Sequence, residues 1–387
     1  MKVLFISNLL PPHFIGGYEI ACFDTFKLFK KNNIDCAILT SDFIVNDSIS
    51  INIEYEKKES IFRLLKMHTD FRYNRNCPSY LTVEKYNVNV VTDFLKQYKP
   101  NIVYFWNLWG LGSKIIKCCN SKESIFHIMD FSIKLYDFSL EKYLKFIFLK
   151  NRHRPVFLKS DLKNIIFISD FVSKNFDNYS IKKKKTIYPF LEKFKPDMVK
   201  KSYHNELNIF RGVFLGQIEK HKGILDLCYI LESINNEFGF SKVSIDIYGS
   251  SQSNLIEMIR KQFDFVTIIE KTPRIQILHL LKSYDFGFFP SLWEEPFGIA
   301  QIEMMAAGLP VLSSGRGGSC EALNSNNSIT YSDFSELKKS LLGLISDYNF
   351  IAKRIGENAQ NEVALKYNES AYFDNVISFF KDVLENK

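Results

Sequence analysis

Two doubly wound α/β halves are the architecture this sequence predicts, and three observations carry it. A short apolar run, a glycine-bearing loop, an amphipathic helix and a second apolar run follow one another at the start of the chain. The same order begins again near residue 209. At 387 residues the chain is too long for one ordinary core and suits two. The expected division is residues 1–195, residues 205–369, and a closing helix over 370–387 that packs back on the first half.

Val3-Leu4-Phe5-Ile6 reads as a buried parallel strand, apolar throughout and bounded by turn residues. Gly16-Gly17 lies in the loop that follows. A helix then runs from about Tyr18 to Lys31, with Cys22, Phe26 and Phe29 on one face and a basic end that suits the helix dipole. Asp35–Thr40 resumes as a strand, and Ile102–Phe105, Ser124–Ile128 and Ile165–Ile168 are further strands of the same sheet. In the second half Val213-Phe214-Leu215 is a strand, Gly216–Gly223 a loop and Ile224–Glu232 the start of a helix. Val243–Tyr248, Val266–Ile269, Phe286–Phe289 and Pro310–Ser313 follow as strands, joined by helical stretches. Tyr372, Val376, Phe380 and Leu384 recur at helical spacing near the end of the chain. Two such halves, with the carboxyl ends of their strands facing a central cleft, would bind a ligand there.

Composition narrows the function. Hydrophobic residues make up 46% and charged residues 24%, which excludes a disordered tail, a coiled coil or a collagen-like fibre. No stretch approaches the roughly 20 apolar residues that span a bilayer. The net charge of +7 is mild and mostly local. Lys134 to Lys163 holds eight positive side chains against three acids, and Lys182–Lys185 adds four more lysines in what reads as a solvated loop. One basic face of this kind points to an anionic membrane surface or a polyanionic ligand rather than to nucleic acid. Leu140–Phe148 has apolar and aromatic residues at helical spacing beside Lys142 and Lys145, so it reads either as a peripheral membrane-binding helix or as a core-facing one. The seven cysteines show no C-x-x-C spacing, which suits a reducing, cytoplasmic setting without disulfides. The seven histidines show no metal-binding pairing, and no secretory signal is read at the N-terminus. No metal or other cofactor is expected.

The most informative stretch is Pro290-Ser-Leu-Trp-Glu-Glu-Pro-Phe-Gly-Ile-Ala-Gln-Ile-Glu-Met-Met-Ala-Ala-Gly-Leu-Pro-Val. A strand ends at Phe289, a loop carries Glu295-Pro296-Phe297-Gly298, and a helix runs to about Ala307 before Gly308 and Pro310 stop it. The free N–H groups of that helix N-terminus form an anion site suited to phosphate. Glu295 stands at its mouth and Glu303 two turns further in; a carboxylate there can accept two hydrogen bonds from a vicinal diol such as a ribose. Glu294 reads as a solvated neighbour or as a helix N-terminal charge.

On these residues the chain resembles family 4 of the retaining glycosyltransferases, which have the GT-B fold. Pro290-Ser291, Glu295-Pro296-Phe297-Gly298, Glu303, Ala306-x-Gly308-x-Pro310-Val311 and Gly317-Gly318-x-x-Glu321 all fall in register with the family motif. Gly16-Gly17, Phe214-Leu215-Gly216, Lys222-Gly223, Tyr248-Gly249 and Ser169-Asp170 extend the likeness over most of the chain, thinly at 45–165. The resemblance implies a nucleoside-diphosphate sugar as donor, a glycan or lipid-linked acceptor lying against the N-terminal half, and retention of anomeric configuration. It implies that Glu303 binds the ribose hydroxyls and that Glu295 contacts the donor sugar. Phe297, Gly298 and Ile299 would present the diphosphate with backbone groups, and Gln217 and Gly249 would complete the donor contacts. Lys222 would neutralise the departing diphosphate. Gly16 and Gly17 would let the first loop approach the same phosphates without a Cβ clash. The reaction would take place in the cytoplasm, at the inner face of a bacterial membrane if the basic face binds lipid.

The chain departs from the family in three places. Gln217 stands where the family usually has an arginine, shifting the diphosphate charge onto Lys222, with Lys220 as a substitute. Asp130 matches the aspartate of a His-Asp pair, but Met129 occupies the histidine position, and His127, two residues earlier, reads more simply as a strand histidine. Tyr188-Pro189-Phe190 replaces the usual Asn-Gly. A sugar-nucleotide epimerase or hydrolase of the same fold, and a catalytically silent nucleotide-sugar-binding partner, therefore stay open beside transfer. An NAD oxidoreductase is disfavoured because neither half has G-x-G-x-x-G. No Asp-x-Asp pair supports a metal–diphosphate clamp.

Overall fold

The computed structural model describes residues 1–45, 49–68, 78–119, 123–136, 139, 141, 159–191, 201–203, 205, 209–251, 254–269, 272 and 274–385. Almost all of the Leu140–Phe148 segment, and most of the stretch expected to join the two halves, lie outside these residues. The chain divides into two compact units, Met1–Pro189 with Glu369–Lys387, and Phe190–Asn368. Among the described residues no helix is long and apolar enough to cross a membrane.

The first unit is built on a seven-stranded sheet: β1 (Lys2–Ile6), β2 (Asp35–Ser41), β3 (Ile61–Leu65), β4 (Ile102–Phe105), β5 (Glu123–Ile128), β6 (Asn164–Phe167) and β7 (Lys183–Thr186), in the order β3-β2-β1-β4-β5-β6-β7. Every neighbouring pair is parallel. Helices α1 (Gly17–Lys31), α2 (Ile53–Glu59), α3 (Tyr80–Tyr98), α4 (Ile115–Cys118) and α5 (Asp170–Lys174) lie between the strands. Val3 to Ile6 are fully buried because a parallel strand is covered on both faces, and this is why the run is unbroken by polar residues. Phe5 meets Phe26 and Phe29 of α1 edge-on at 5.6 and 5.2 Å, and Tyr104 of β4 at 5.2 Å.

The lysine run 182–185 departs from its expected loop: Lys183–Thr186 is an edge strand. Its alternation explains the lysines. Lys183 and Lys185 point one way, pairing with Asp382 at 2.7 Å and Asn375 at 2.8 Å, while Lys184 points the other way to Asp177 at 3.0 Å. Charged side chains on an edge strand also block pairing with a further strand.

The second unit repeats the plan with six parallel strands, β8 (Phe210–Leu215), β9 (Val243–Tyr248), β10 (Val266–Ile269), β11 (Phe286–Phe289), β12 (Val311–Ser313) and β13 (Ile329–Thr330), in the order β10-β9-β8-β11-β12-β13. Helices α6 (Ile224–Phe238), α7 (Leu255–Gln262), α8 (Arg274–Leu280), α9 (Ile299–Ala306), α10 (Phe334–Ser346) and α11 (Tyr348–Lys366) accompany them. Ile224, Leu227, Leu231 and Ile234 of α6 form its apolar stripe and join Ile245, Ile247, Leu337 and Leu341 in one core cluster. Strand order reverses at β8, so the loops after β8 and β11 diverge there, the position where doubly wound sheets bind ligands.

The chain then returns to the first unit as α12 (Glu369–Glu385). Phe380 packs edge-on against Phe29 and Tyr104 at 5.7 and 4.9 Å, the hydroxyls of Tyr372 and Thr25 lie 2.9 Å apart, and Lys31 pairs with Glu369 at 2.5 Å.

Candidate active site

Within the second unit, the loops leaving the carboxyl ends of β8 and β11 are stitched together. After Leu215 the chain exposes Gly216 and Gln217, buries Ile218, and makes a short 3-10 turn at Lys220–Lys222. Gly223 ends that turn at φ +68°. A Cβ on Gly223 would lie 2.0 Å from the carbonyl oxygen of Pro290, so this glycine lets the two loops touch. Gly223→Ala is expected to cost at least about 2 kcal/mol, because strain at positive φ adds to the clash. Gly239 also has positive φ but nothing within 4 Å of its Cβ position. Gly239→Ala therefore isolates the φ contribution, and urea unfolding of both variants should show Gly223→Ala clearly the weaker.

Across this contact, the backbone N–H groups of Leu292 and Trp293 donate to the His221 carbonyl at 2.9 and 3.1 Å. The ammonium of Lys222 donates to Glu295 Oε1 at 2.6 Å, and the Ser291 hydroxyl donates to the same oxygen at 2.7 Å. Glu295 is 7% exposed and Lys222 half-buried. A third loop holds Glu295 from behind: its N–H donates to the Arg316 carbonyl at 3.3 Å, and its own carbonyl accepts from the Gly318 N–H at 2.6 Å. The catalytic candidates Lys222 and Glu295 are thus one charge-assisted pair, held by backbone bonds on both sides.

Phe297 is buried and packs on Tyr367 at 5.8 Å. Gly298, at φ +90°, precedes the first helical residue, Ile299. A left-handed residue here turns the chain sharply from loop into helix, and the Gln301 N–H closes the first turn on the Gly298 carbonyl at 3.2 Å. The helix is fixed at its other side by Gln301, whose amide donates to the Ser319 carbonyl at 2.6 Å and accepts from the Ser313 hydroxyl at 3.0 Å. Glu303 is 7% exposed, one turn further along α9. Gly249 follows β9, with its Cβ position 1.8 Å from the Gly216 carbonyl oxygen. The second-unit candidates Lys222, Gln217, Gly249, Glu295, Phe297, Gly298 and Ile299 therefore stand on loops or a helix start at the carboxyl edge of one sheet, and Glu303 stands within α9.

The remaining candidates lie in the first unit. Gly16 adopts extended backbone at the start of α1, and its N–H donates to the Glu19 carboxylate at 3.0 Å. Gly17 is the first residue of the helix. Glu19 is buried and also accepts from the Asn107 amide at 2.9 Å; burial raises its pKa despite these bonds. Sequence reading missed Glu19, although a glutamate three residues after a helix N-cap is the reciprocal position of a capping box. It also left Ser291 without a role. Asp130 follows β5 and accepts from the Ser132 N–H at 2.8 Å; burial raises its pKa. His127 is a core histidine. Its ring stacks on Trp106 at 4.0 Å, Nδ1 lies 2.5 Å from the Tyr104 hydroxyl, and burial lowers its pKa to about 3. The Tyr18 hydroxyl donates to the His127 carbonyl, which ties α1 to the end of β5.

Residues 200–362 match the family model described as glycosyl transferases group 1. Over 116 residues the chain is 31% identical to a glycogen synthase of Mycobacterium tuberculosis (strain CDC 1551 / Oshkosh), a stretch that is 29% of this chain and 27% of that protein. The chain therefore spans about a quarter of that relative's length. Among solved structures, HepE of Anabaena in complex with UDP and glucose superimposes with TM-score 0.68 at 17% identity, covering 99% of this chain and 100% of that one. Sucrose-phosphate synthase from Thermosynechococcus elongatus does so with TM-score 0.72 at 14% identity, covering 100% of both chains. The two units of this chain thus carry the two Rossmann-like parallel sheets of the GT-B fold.

Proposed function

We propose that this protein is a retaining, metal-independent glycosyltransferase of family 4 that moves a sugar from a nucleoside-diphosphate sugar to a glycan or lipid-linked acceptor. The observation that carries this reading is the Lys222–Glu295 pair, set at the switch point of a sheet inside the stretch that matches the glycosyl transferases group 1 model. The α9 N-terminus beside it suits a diphosphate. Glu303 accepts hydrogen bonds from the ribose, and Glu295 meets the transferred sugar. In the reaction the acceptor oxygen bonds to the anomeric carbon as the bond from that carbon to the diphosphate oxygen breaks. The acceptor proton passes to the departing phosphate oxygen, and Lys222 stabilises the negative charge that develops there. Asp130 is a further catalytic candidate in this reading. The basic segment seats the protein on an anionic membrane surface, as a peripheral protein of the inner face.

HepE is described with UDP and glucose, so UDP leads the nucleotides to test. Thermal stability would be measured against UDP, GDP, ADP, CMP and dTDP, each with EDTA and with magnesium. A ligand at 100 times its dissociation constant adds about 2.7 kcal/mol. One nucleotide should stabilise the protein equally with and without metal. Glu303→Ala should lose about 1–3 kcal/mol of that affinity, as for loss of a charged acceptor. Unchanged affinity in the variant would remove the ribose assignment. Rapid release of free or isomerised sugar without acceptor would favour the hydrolase or epimerase, and a donor complex that never turns over would favour the silent binding partner.

A further inference from the structure

Trp293 is 47% exposed and its neighbour Leu292 40%, while Trp106 is buried and Trp109 half-buried. An indole left in water keeps a large apolar area unburied, and a contiguous apolar patch on a soluble surface marks a contact site. This indole is also held on a fixed backbone. The Trp293 backbone N–H donates to the His221 carbonyl and lies 3.3 Å from the Ser291 hydroxyl, and the indole meets the His221 ring at 6.2 Å and 72°. That same Ser291 hydroxyl bonds Glu295, so the anchors that place the charged pair also place the indole. Arg316 closes the other side, with its guanidinium donating to the Leu292 carbonyl at 3.3 Å.

We propose that Trp293 is a stacking platform for a pyranose ring of the acceptor glycan, with Leu292 extending the apolar surface and His221 and Arg316 offering polar contacts to the ring hydroxyls. A pyranose has one face of C–H groups that fits a flat aromatic surface, and its rim of hydroxyls needs donors and acceptors beside that surface. A side chain with two torsions on an anchored backbone loses little entropy in such a contact. The source of the ring follows from depth. Glu295 is buried two residues away, whereas Trp293 and Glu294 are exposed, so a substrate touching both runs outward from Glu295 to the indole. The stacked ring is assigned to the acceptor, because the sugar being transferred meets Glu295 in the reading above. This assignment rests on the sugar-transfer reading; the stacking itself does not.

The test uses the full chain with Trp293→Ala and Trp293→Phe. Saturation-transfer difference NMR would be recorded with the methyl pyranosides of glucose, galactose, mannose and N-acetylglucosamine, with a UDP thermal-shift measurement in parallel. At least one pyranoside should bind the wild type through one ring face. Its affinity should fall about tenfold in Trp293→Ala and stay within about threefold in Trp293→Phe. Equal binding by wild type and Trp293→Ala, or no binding of any of the four sugars, overturns the platform. A wild type that binds a pyranoside but no nucleotide keeps the platform and removes the transfer reading. The UDP shift of Trp293→Ala should match the wild type, showing an intact fold. If Trp293→Ala slows hydrolysis of the donor sugar as much as transfer, the stacked ring is the donor's and the acceptor assignment fails.

Discussion

Lys222→Ala should lower kcat for sugar transfer by about 10²- to 10³-fold, the usual loss when one positioned donor to a developing oxyanion is removed. The same substitution should also destabilise the second unit. It leaves the Glu295 carboxylate, 7% exposed, without its cation, and breaking such a pair from one side costs about 3–5 kcal/mol. These two losses have different remedies, which separates them. In the double variant Lys222→Met with Glu295→Gln the unpaired charge is gone, and the introduced amide oxygen can still accept from Ser291. Stability should therefore return toward the wild type while activity stays lost. The measurement is a double-mutant cycle in urea over Lys222→Met, Glu295→Gln and the double variant, run beside the transfer assay. A single Lys222→Ala with wild-type kcat would remove Lys222 from the chemistry. A double variant whose loss equals the sum of the losses in Lys222→Met and Glu295→Gln would show that the pair carries no coupling.

A large effect of acid is expected from His127. Burial among Trp106 and Tyr104 holds its pKa near 3, against about 6.5 in an unfolded chain. The folded state therefore keeps the ring neutral where the unfolded state binds a proton. Stability from this group is complete above pH 6.5 and is lost as pH falls through the interval from 6.5 to about 3. The slope is about 1.4 kcal/mol per pH unit, or about 2 kcal/mol lost at pH 5. Asp130 and Glu19 act in the opposite direction, since burial raises both and acid protonates them in the folded state first. Comparison with His127→Gln isolates the histidine. The variant will be weaker at pH 7 but should lose less between pH 7 and pH 5. Parallel stability curves for the two proteins over that range would contradict the argument.

The central strands of both sheets were legible because parallel strands covered on two faces must be apolar along their length; Val3–Ile6, Ile102–Phe105 and Phe286–Phe289 read directly. The lysine strand Lys183–Thr186 was not, since its alternation is satisfied by partners on α12 almost 200 residues later rather than by burial. Ile61–Leu65 and the helix Tyr80–Tyr98 were likewise passed over, one an edge strand with half-buried residues and the other a helix with a polar outer face. At the candidate site, motif spacing identified Lys222 and Glu295 separately. That they bond, across 73 residues of chain, depends on the close approach at Gly223 and Pro290, which no local pattern reports. Glu19 was hidden for a similar reason, because its partner Asn107 lies 88 residues away.

The return of Glu369–Glu385 to the first unit imposes an order on biosynthesis. The ribosome makes the seven strands of that unit first, then all of the second unit, and only afterwards the helix bearing Tyr372 and Phe380. Until then Phe29 and Tyr104 lack the rings that cover them in the finished protein. The second unit is continuous in the chain and can complete its core as it emerges, whereas the first must wait with an apolar face open to water. Vectorial synthesis thus leaves the first unit without its closing helix until the whole of the second has been made.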